Sequence, residues 1–139
     1  AASDVYKRQV RIKLNVLKEA VAGKRVIMID DSIVRGTTSA LIVGMLRDAG
    51  AKEVHVRISA PPFLHPCYFG TDIPSEDQLI AHNRTVEEIR ELLGADSLSY
   101  LALDRLYEMA GGKAICTACF SGDYPIEPPK EDIRGSYEK

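Results

Sequence analysis

Val26–Ser39 reads VIMIDDSIVRGTTS. A β-branched run, RVIMI at 25–29, has the character of a buried parallel strand and ends in two adjacent acids, Asp30 and Asp31. A short turn follows, carrying Ser32, Gly36, Thr37 and Thr38, and Thr37 or Thr38 is placed to cap a helix reaching about Ala49. Leu41, Ile42, Met45, Leu46 and Ala49 recur at helical spacing and form its expected inward face, with Gly50 set to stop it. VHVRIS at 54–59 then alternates as a second strand, and the crossover between the two strands is long enough for a parallel βαβ unit.

In an open parallel sheet, ligands sit beyond the carboxyl ends of the strands, which is where Asp30 and Asp31 fall. Two neighbouring carboxylates there suit the vicinal hydroxyls of a ribose or a divalent cation. Ser32 to Thr38 add consecutive backbone N–H groups and three hydroxyls at the positive end of a helix, the arrangement that binds phosphate. Gly36 permits close approach. Acids and turn are about one ribose 5-phosphate apart. Taken singly, the same residues read as a strand end and a helix cap. Neither a Walker lysine motif nor G-x-G-x-x-G is present, so the sequence does not support an ATPase or a dinucleotide binder. A phosphorelay receiver also pairs acids after its first strand, but no phospho-accepting aspartate follows residues 59 or 101 in register.

The remaining chain is consistent with one domain or part of one. Its 139 residues are 45% hydrophobic and 27% charged, with formal charge −2, so no basic field recruits nucleic acid or an anionic membrane. No apolar run approaches the roughly 20 residues of a membrane-spanning helix, and the expected compartment is the cytoplasm. APPFLHP at 60–66 must be irregular. Capping boxes are expected at Ser75/Gln78 and Thr85/Glu88, the second opening a helix with Val86, Ile89 and Leu93 inward and Gly94 at its end. SLSYLAL at 97–103 reads as a third strand and DRLYEMAGG as a short helix capped by Asp104; 125–139 reads as a tail. His55, His65 and His82 show no metal spacing and read as surface or supporting polar groups. Cys116 and Cys119 form C-x-x-C with Cys67 far upstream, which fits a redox pair, part of a zinc or iron–sulfur site, or buried inert thiols.

VIMIDDSIVRGTT resembles the phosphoribosyl pyrophosphate (PRPP) motif of type I phosphoribosyltransferases, and SIVRGTTS is similar to that of the amidophosphoribosyltransferases. VRIKLN (10–15), AGAKEVHVRISAPP (49–62), HPCYFGTDIPS (65–75), LIAHNRTVEEIRELLGADSLSYL (79–101) and CTACFSGDYP (116–125) resemble that family in the same order. The resemblance implies a partial α/β phosphoribosyltransferase fold over 10–110, a parallel sheet flanked by helices, and a cysteine-containing C-terminal segment over 111–139. It implies PRPP as substrate, with Asp30 and Asp31 on the ribose hydroxyls and magnesium, and Ser32, Ile33, Val34, Arg35, Gly36, Thr37 and Thr38 around the 5-phosphate. Asp30 and Asp31 are also its candidate catalytic groups; Arg35 alone reads equally as a solvated charge, a pyrophosphate contact or a contact to another subunit.

The iron–sulfur branch of the family further implies a [4Fe–4S] cluster with Cys67, Cys116 and Cys119 as three ligands and a fourth outside this chain. A glutaminase domain supplying ammonia, and a homo-oligomeric full-length enzyme, are implied likewise. Residues 1–9 do not continue the family pattern and read as an unrelated leader; Arg11 and Lys13 are pyrophosphate contacts or plain helix surface. The expectation is a fragment that lacks early strands, binds PRPP weakly alone, assembles its cluster incompletely and aggregates unless partnered. Another type I phosphoribosyltransferase fits less well because of CTACFSG, and a non-catalytic PRPP or nucleotide sensor is the alternative from a different class.

Overall fold

The computed structural model describes residues 15–70 and 75–128. Three parallel strands, β1 (Arg25–Asp30), β2 (Glu53–Ile58) and β3 (Ser97–Tyr100), form one sheet in the order β1-β2-β3. The helices are α1 (Lys18–Val21), α2 (Thr37–Asp48), α3 (Val86–Leu93), α4 (Leu103–Met109) and α5 (Ala118–Ser121), with a 3-10 turn at Glu76–Gln78. The expected parallel α/β architecture is present.

Strand alternation assigns the two faces. Val26, Met28 and Asp30 pair with Val54, Val56 and Ile58, and Leu98 and Tyr100 continue the rows. Val54 and Val56 are 0% exposed beneath α2 and α3. On the opposite face Ile27 and Ile29 are 65% and 75% exposed, and a polar ladder runs beside them. Glu53 reaches toward Arg25 at 4.0 Å, His55 meets Glu53 at 3.0 Å and Ser97 at 2.8 Å, and Arg57 donates to Ser97 at 2.9 Å.

Several local expectations shift. Neither Thr37 nor Thr38 caps α2; the N-cap is Gly36, left-handed at φ +77° and without a side-chain cap bond. The buried stripe of α2 is Ser39, Val43 and Leu46, so the helix is rotated relative to the expected face, with Ile42 half-buried. The Ser75/Gln78 box does not form, because the Ser75 hydroxyl donates instead to Asp77, two residues on. The Thr85/Glu88 box forms in full and Gly94 closes α3 at φ +71°, with Ile89 and Leu93 buried but Val86 turned outward. β3 ends at Tyr100, where the Leu101 N–H donates to Ile58 O at 2.9 Å and more distantly to Ala60 O at 3.3 Å, so the expected strand is shorter than 97–103. Ala102, not Asp104, is the N-cap of α4.

Two side chains yield stability predictions. Asp96 accepts from the Val54 N–H at 2.6 Å and from Arg47 at 2.6 Å, tying α2, β2 and the start of β3 together. The Val54 N–H and then Arg47 hold its carboxyl below the ordinary value. A lowered folded-state pKa contributes stability that is complete above the unfolded value and lost as pH falls through the folded one. Asp96→Ala should therefore cost about 1–2 kcal/mol at neutral pH, reduced by partial solvent exposure, and should flatten the acid limb of a melting curve measured from pH 6 to 2. An unchanged acid limb would show that the clamp contributes nothing.

Tyr100 packs against the core with its hydroxyl buried and unpartnered among the described residues, and burial pushes its pKa up to about 12. Removing an unsatisfied hydroxyl recovers desolvation free energy. Tyr100→Phe is expected to raise the urea midpoint by the equivalent of about 1 kcal/mol; a loss of stability would reveal a partner for that hydroxyl.

Candidate functional site

The site lies at the carboxyl end of β1. Asp30 closes the strand on the helix-covered face, level with Ile58 and Tyr100. Its backbone oxygen accepts from the Ser59 N–H at 3.0 Å and the Ser59 hydroxyl at 3.2 Å, fixing the strand end. Asp30 Oδ1 accepts the Asp31 N–H at 3.0 Å, and Asp31 Oδ1 accepts the Ser32 hydroxyl at 3.3 Å. Burial chiefly, and then the Asp31 charge, raise the Asp30 pKa against the lowering effect of that N–H. Asp31 is exposed. The two acids thus differ in environment, one half-buried and one in solvent.

The turn from Ser32 to Gly36 is anchored through its side chains and leaves its amides unspent. Ile33 is 2% exposed in the main core and Val34 packs against Phe63 and Leu79, so neither side chain faces a ligand. Among the described residues the N–H groups of Ser32 through Gly36 donate to no backbone carbonyl. From behind, the Ile80 N–H donates to Val34 O at 2.9 Å and Ile80 Cδ1 lies 2.5 Å from where a Gly36 Cβ would stand. Leu79 and Ile80 are the turn's neighbours that the sequence did not reveal; a three-residue apolar run outside any helix or strand is too short to carry a periodic signal.

Two hollows flank the first turn of α2. One, of about 250 Å3, is bordered by Asp30 with Val16, Met28, Ile29, Ile42 and Met45. The other, of about 280 Å3, is bordered by Arg35, Gly36 and Thr37 together with residues of the 77–80 segment and α3. The expected site residues are therefore contiguous around the helix start, but Asp30 and Arg35 border different hollows.

The cysteines share a second neighbourhood. Cys67, Cys119 and Phe120 pack against Phe63 and Leu79, and the same cluster includes Val34 of the turn. The Leu64 and His65 N–H groups both donate to Cys119 O at 3.0 Å, and the Tyr124 hydroxyl donates to Pro66 O at 2.8 Å. Burial, then Cys67 and Cys116 nearby, push the Cys119 thiol up to about 11. Cys67 and Cys119 pack in that cluster while Cys116 is exposed; thiols are the donor chemistry of an iron–sulfur cluster. Among the described residues no three His, Cys, Asp or Glu side chains converge as a metal-ligand set. The histidines are structural: His65 and His82 flank Glu76 at 3.3 and 3.5 Å, and His82 also meets Leu64 O at 3.0 Å. Residues 1–9, Arg11 and Lys13, and the end of the tail lie outside the described residues.

An acid pair followed by an amide-lined turn in a parallel α/β fold has close relatives. The amidophosphoribosyltransferase of Archaeoglobus fulgidus is 55% identical over 127 residues, 88% of this chain, and that of Bacillus subtilis is 53% identical over 124 residues, 85% of it. The chain matches one segment of the amidophosphoribosyltransferases. It spans only 28% and 26% of the length of those two relatives. The solved Bacillus subtilis glutamine PRPP amidotransferase, complexed with ADP and GMP, superposes with a TM-score of 0.76 at 50% identity, covering 84% of this chain and 27% of that one. A structure described as the allosteric regulatory enzyme of purine biosynthesis gives a TM-score of 0.77 at 50% identity, covering 83% and 26%. No protein-family model matches the chain. No helix among the described residues is long and apolar enough to cross a membrane.

Proposed function

We propose that this chain carries the PRPP-binding segment of an amidophosphoribosyltransferase, the enzyme that makes 5-phosphoribosylamine from PRPP and glutamine. The observation that carries the reading is the row of unspent N–H groups from Ser32 to Gly36, directly after Asp30 and Asp31 and at the start of a 12-residue helix. Five amides and the helix end hold the 5-phosphate. Asp30 and Asp31 accept hydrogen bonds from the ribose hydroxyls, and the Ser32, Thr37 and Thr38 hydroxyls complete the phosphate cradle.

Mechanistically, loss of pyrophosphate from C1 builds positive charge on the ring, and carboxylates below it stabilise that charge. Ammonia, released from glutamine by a glutaminase domain of the longer enzyme, is the incoming nucleophile. This chain's task is thus to hold the sugar in line and supply negative charge, a matter of positioning more than covalent chemistry. Magnesium needs only one or two carboxylates beside its waters and the substrate's oxygens, which Asp30 and Asp31 can give; it neutralises the departing pyrophosphate when bound. Cys67, Cys116 and Cys119 are the thiolates that would hold three corners of a [4Fe–4S] cluster, a structural and redox-active group when present, with a fourth ligand from elsewhere in the enzyme. The phosphoribosyltransferase part runs over 10–110 and the cysteine segment over 111–139, in a cytoplasmic homo-oligomer.

Thermal unfolding of the chain with and without PRPP and magnesium tests the reading. A saturable rise in midpoint with PRPP, absent with ribose alone, is expected; no rise at millimolar PRPP would remove the proposal.

A further inference from the structure

Consecutive residues of the phosphate turn enter different cores. Ile33 is buried in the main core, whereas Val34 packs against a second, smaller cluster built on Phe63 and Leu79. The 79–80 segment divides the same way, with Leu79 in the small cluster and Ile80 in the main one, and the Ile80 N–H joins it to Val34 O at 2.9 Å. A turn anchored on one side can still rotate about its anchor. Anchored on both, its peptide planes, and so the directions of its N–H groups, are fixed.

The small cluster rests on the cysteine segment. Phe120 of α5 belongs to it, with its ring 4.8 Å from that of Phe63 at a 36° tilt, and Cys67 and Cys119 pack there as well. Phe63 stands in a stiff stretch that includes Pro61, Pro62 and Pro66. The Leu64 and His65 N–H groups tie that stretch to Cys119 O, each at 3.0 Å. α5 is held in turn by Thr117, which is buried and bonded to the Tyr107 hydroxyl at 2.8 Å. Packed side chains thus run from α5 through Phe63 and Leu79 to Val34.

We propose that Phe120 is a positioning residue for the phosphate turn: pressing on Phe63, it holds Val34, and with it the amides of Ser32 to Gly36, in the aim that a 5-phosphate needs. The proposal rests on the PRPP reading above and gives the cysteine segment a part in substrate binding that requires no cluster chemistry. Removing the ring would leave the small cluster room to collapse, and Val34 would follow it. Donors that must converge on one phosphate lose affinity steeply when they are displaced.

PRPP titration of the 139-residue chain, with the amide chemical shifts of Ile33 to Gly36 as a second readout, tests the proposal. Phe120→Ala should weaken PRPP about 10-fold and move those shifts in the free chain. Phe120→Leu, which refills the space without a ring, should recover both, which separates lost positioning from a ring-current effect or a detached α5. Ile89→Val removes one methylene from the main core and should lower the unfolding midpoint while leaving both readouts at parent values. Parent affinity in Phe120→Ala, a loss that Phe120→Leu does not recover, or an equal loss in Ile89→Val would overturn the proposal. A parent chain that ignores PRPP would instead remove the reading above; the free-chain shifts then decide, and shifts unmoved by Phe120→Ala overturn the positioning role too.

Discussion

The chain carrying Asp30→Asn and Asp31→Asn should lose its entire thermal response to PRPP and magnesium while melting no lower than the parent without ligand. Asparagine keeps the shape but offers neither a negative charge nor two acceptor oxygens per residue. A ligand at 100 times its dissociation constant stabilises by about 2.7 kcal/mol, so the loss is large compared with ordinary surface substitutions. The second half of the expectation follows from the sign of the Asp30 shift. Burial and the Asp31 charge raise its folded-state pKa, so the folded chain disfavours the charged form relative to the unfolded one. Above that pKa the charge detracts from stability, and the penalty fades as pH falls through it. The ligand needs the charged form, so the PRPP response of the parent should fade at a pH above that of an ordinary carboxyl. A double variant that still responds to PRPP would remove the acids from the sugar site.

Gly36→Ala is expected to be the most destabilising single methyl in the turn. An L-residue at φ +77° costs about 1–2 kcal/mol. The added Cβ would also stand 2.5 Å from Ile80 Cδ1, forcing that side chain off its rotamer or out of the core at roughly 0.5–1.5 kcal/mol more. Gly94 provides the comparison, with φ +71° and nothing within 4 Å of its Cβ position. Gly94→Ala should show the backbone cost alone. Urea unfolding of both variants separates the two contributions: Gly36→Ala should lose about 2–3 kcal/mol, and equal losses would mean that Ile80 does not press on the turn. Because the same methyl would move the amides of residues 33–36, PRPP binding should weaken alongside stability.

How far the fold was legible depended on whether local chemistry or tertiary contact set each element. RVIMI, VHVRIS and the Thr85/Glu88 box carry their own signals, and the strands and α3 form where those signals lie. The Ser75/Gln78 box has the same letters in outline, yet Asp77 captures the serine hydroxyl before a helix can use it. The α2 face is not legible locally because Leu41, Ile42 and Met45 look as apolar as Val43, and only the packing of α2 on Val54 and Val56 decides which row turns inward. Within the site, Asp30 and Asp31 announce themselves at a strand end. The buttress of Leu79 and Ile80 does not, since it arises from a loop 40-odd residues away that no local pattern links to the turn.

The pairing of β1 with β2 has a further consequence. Asp30 faces the covered side only because Val26, Met28 and Asp30 stand opposite Val54, Val56 and Ile58. A slip by a single residue would turn Ile29 to the helix-covered side and carry the carboxylate out to the bare side beside Arg57. The valines of the central strand, far from any ligand, are thus what keep the chemistry aimed, and a core change that loosens them would be felt first as a misdirected acid.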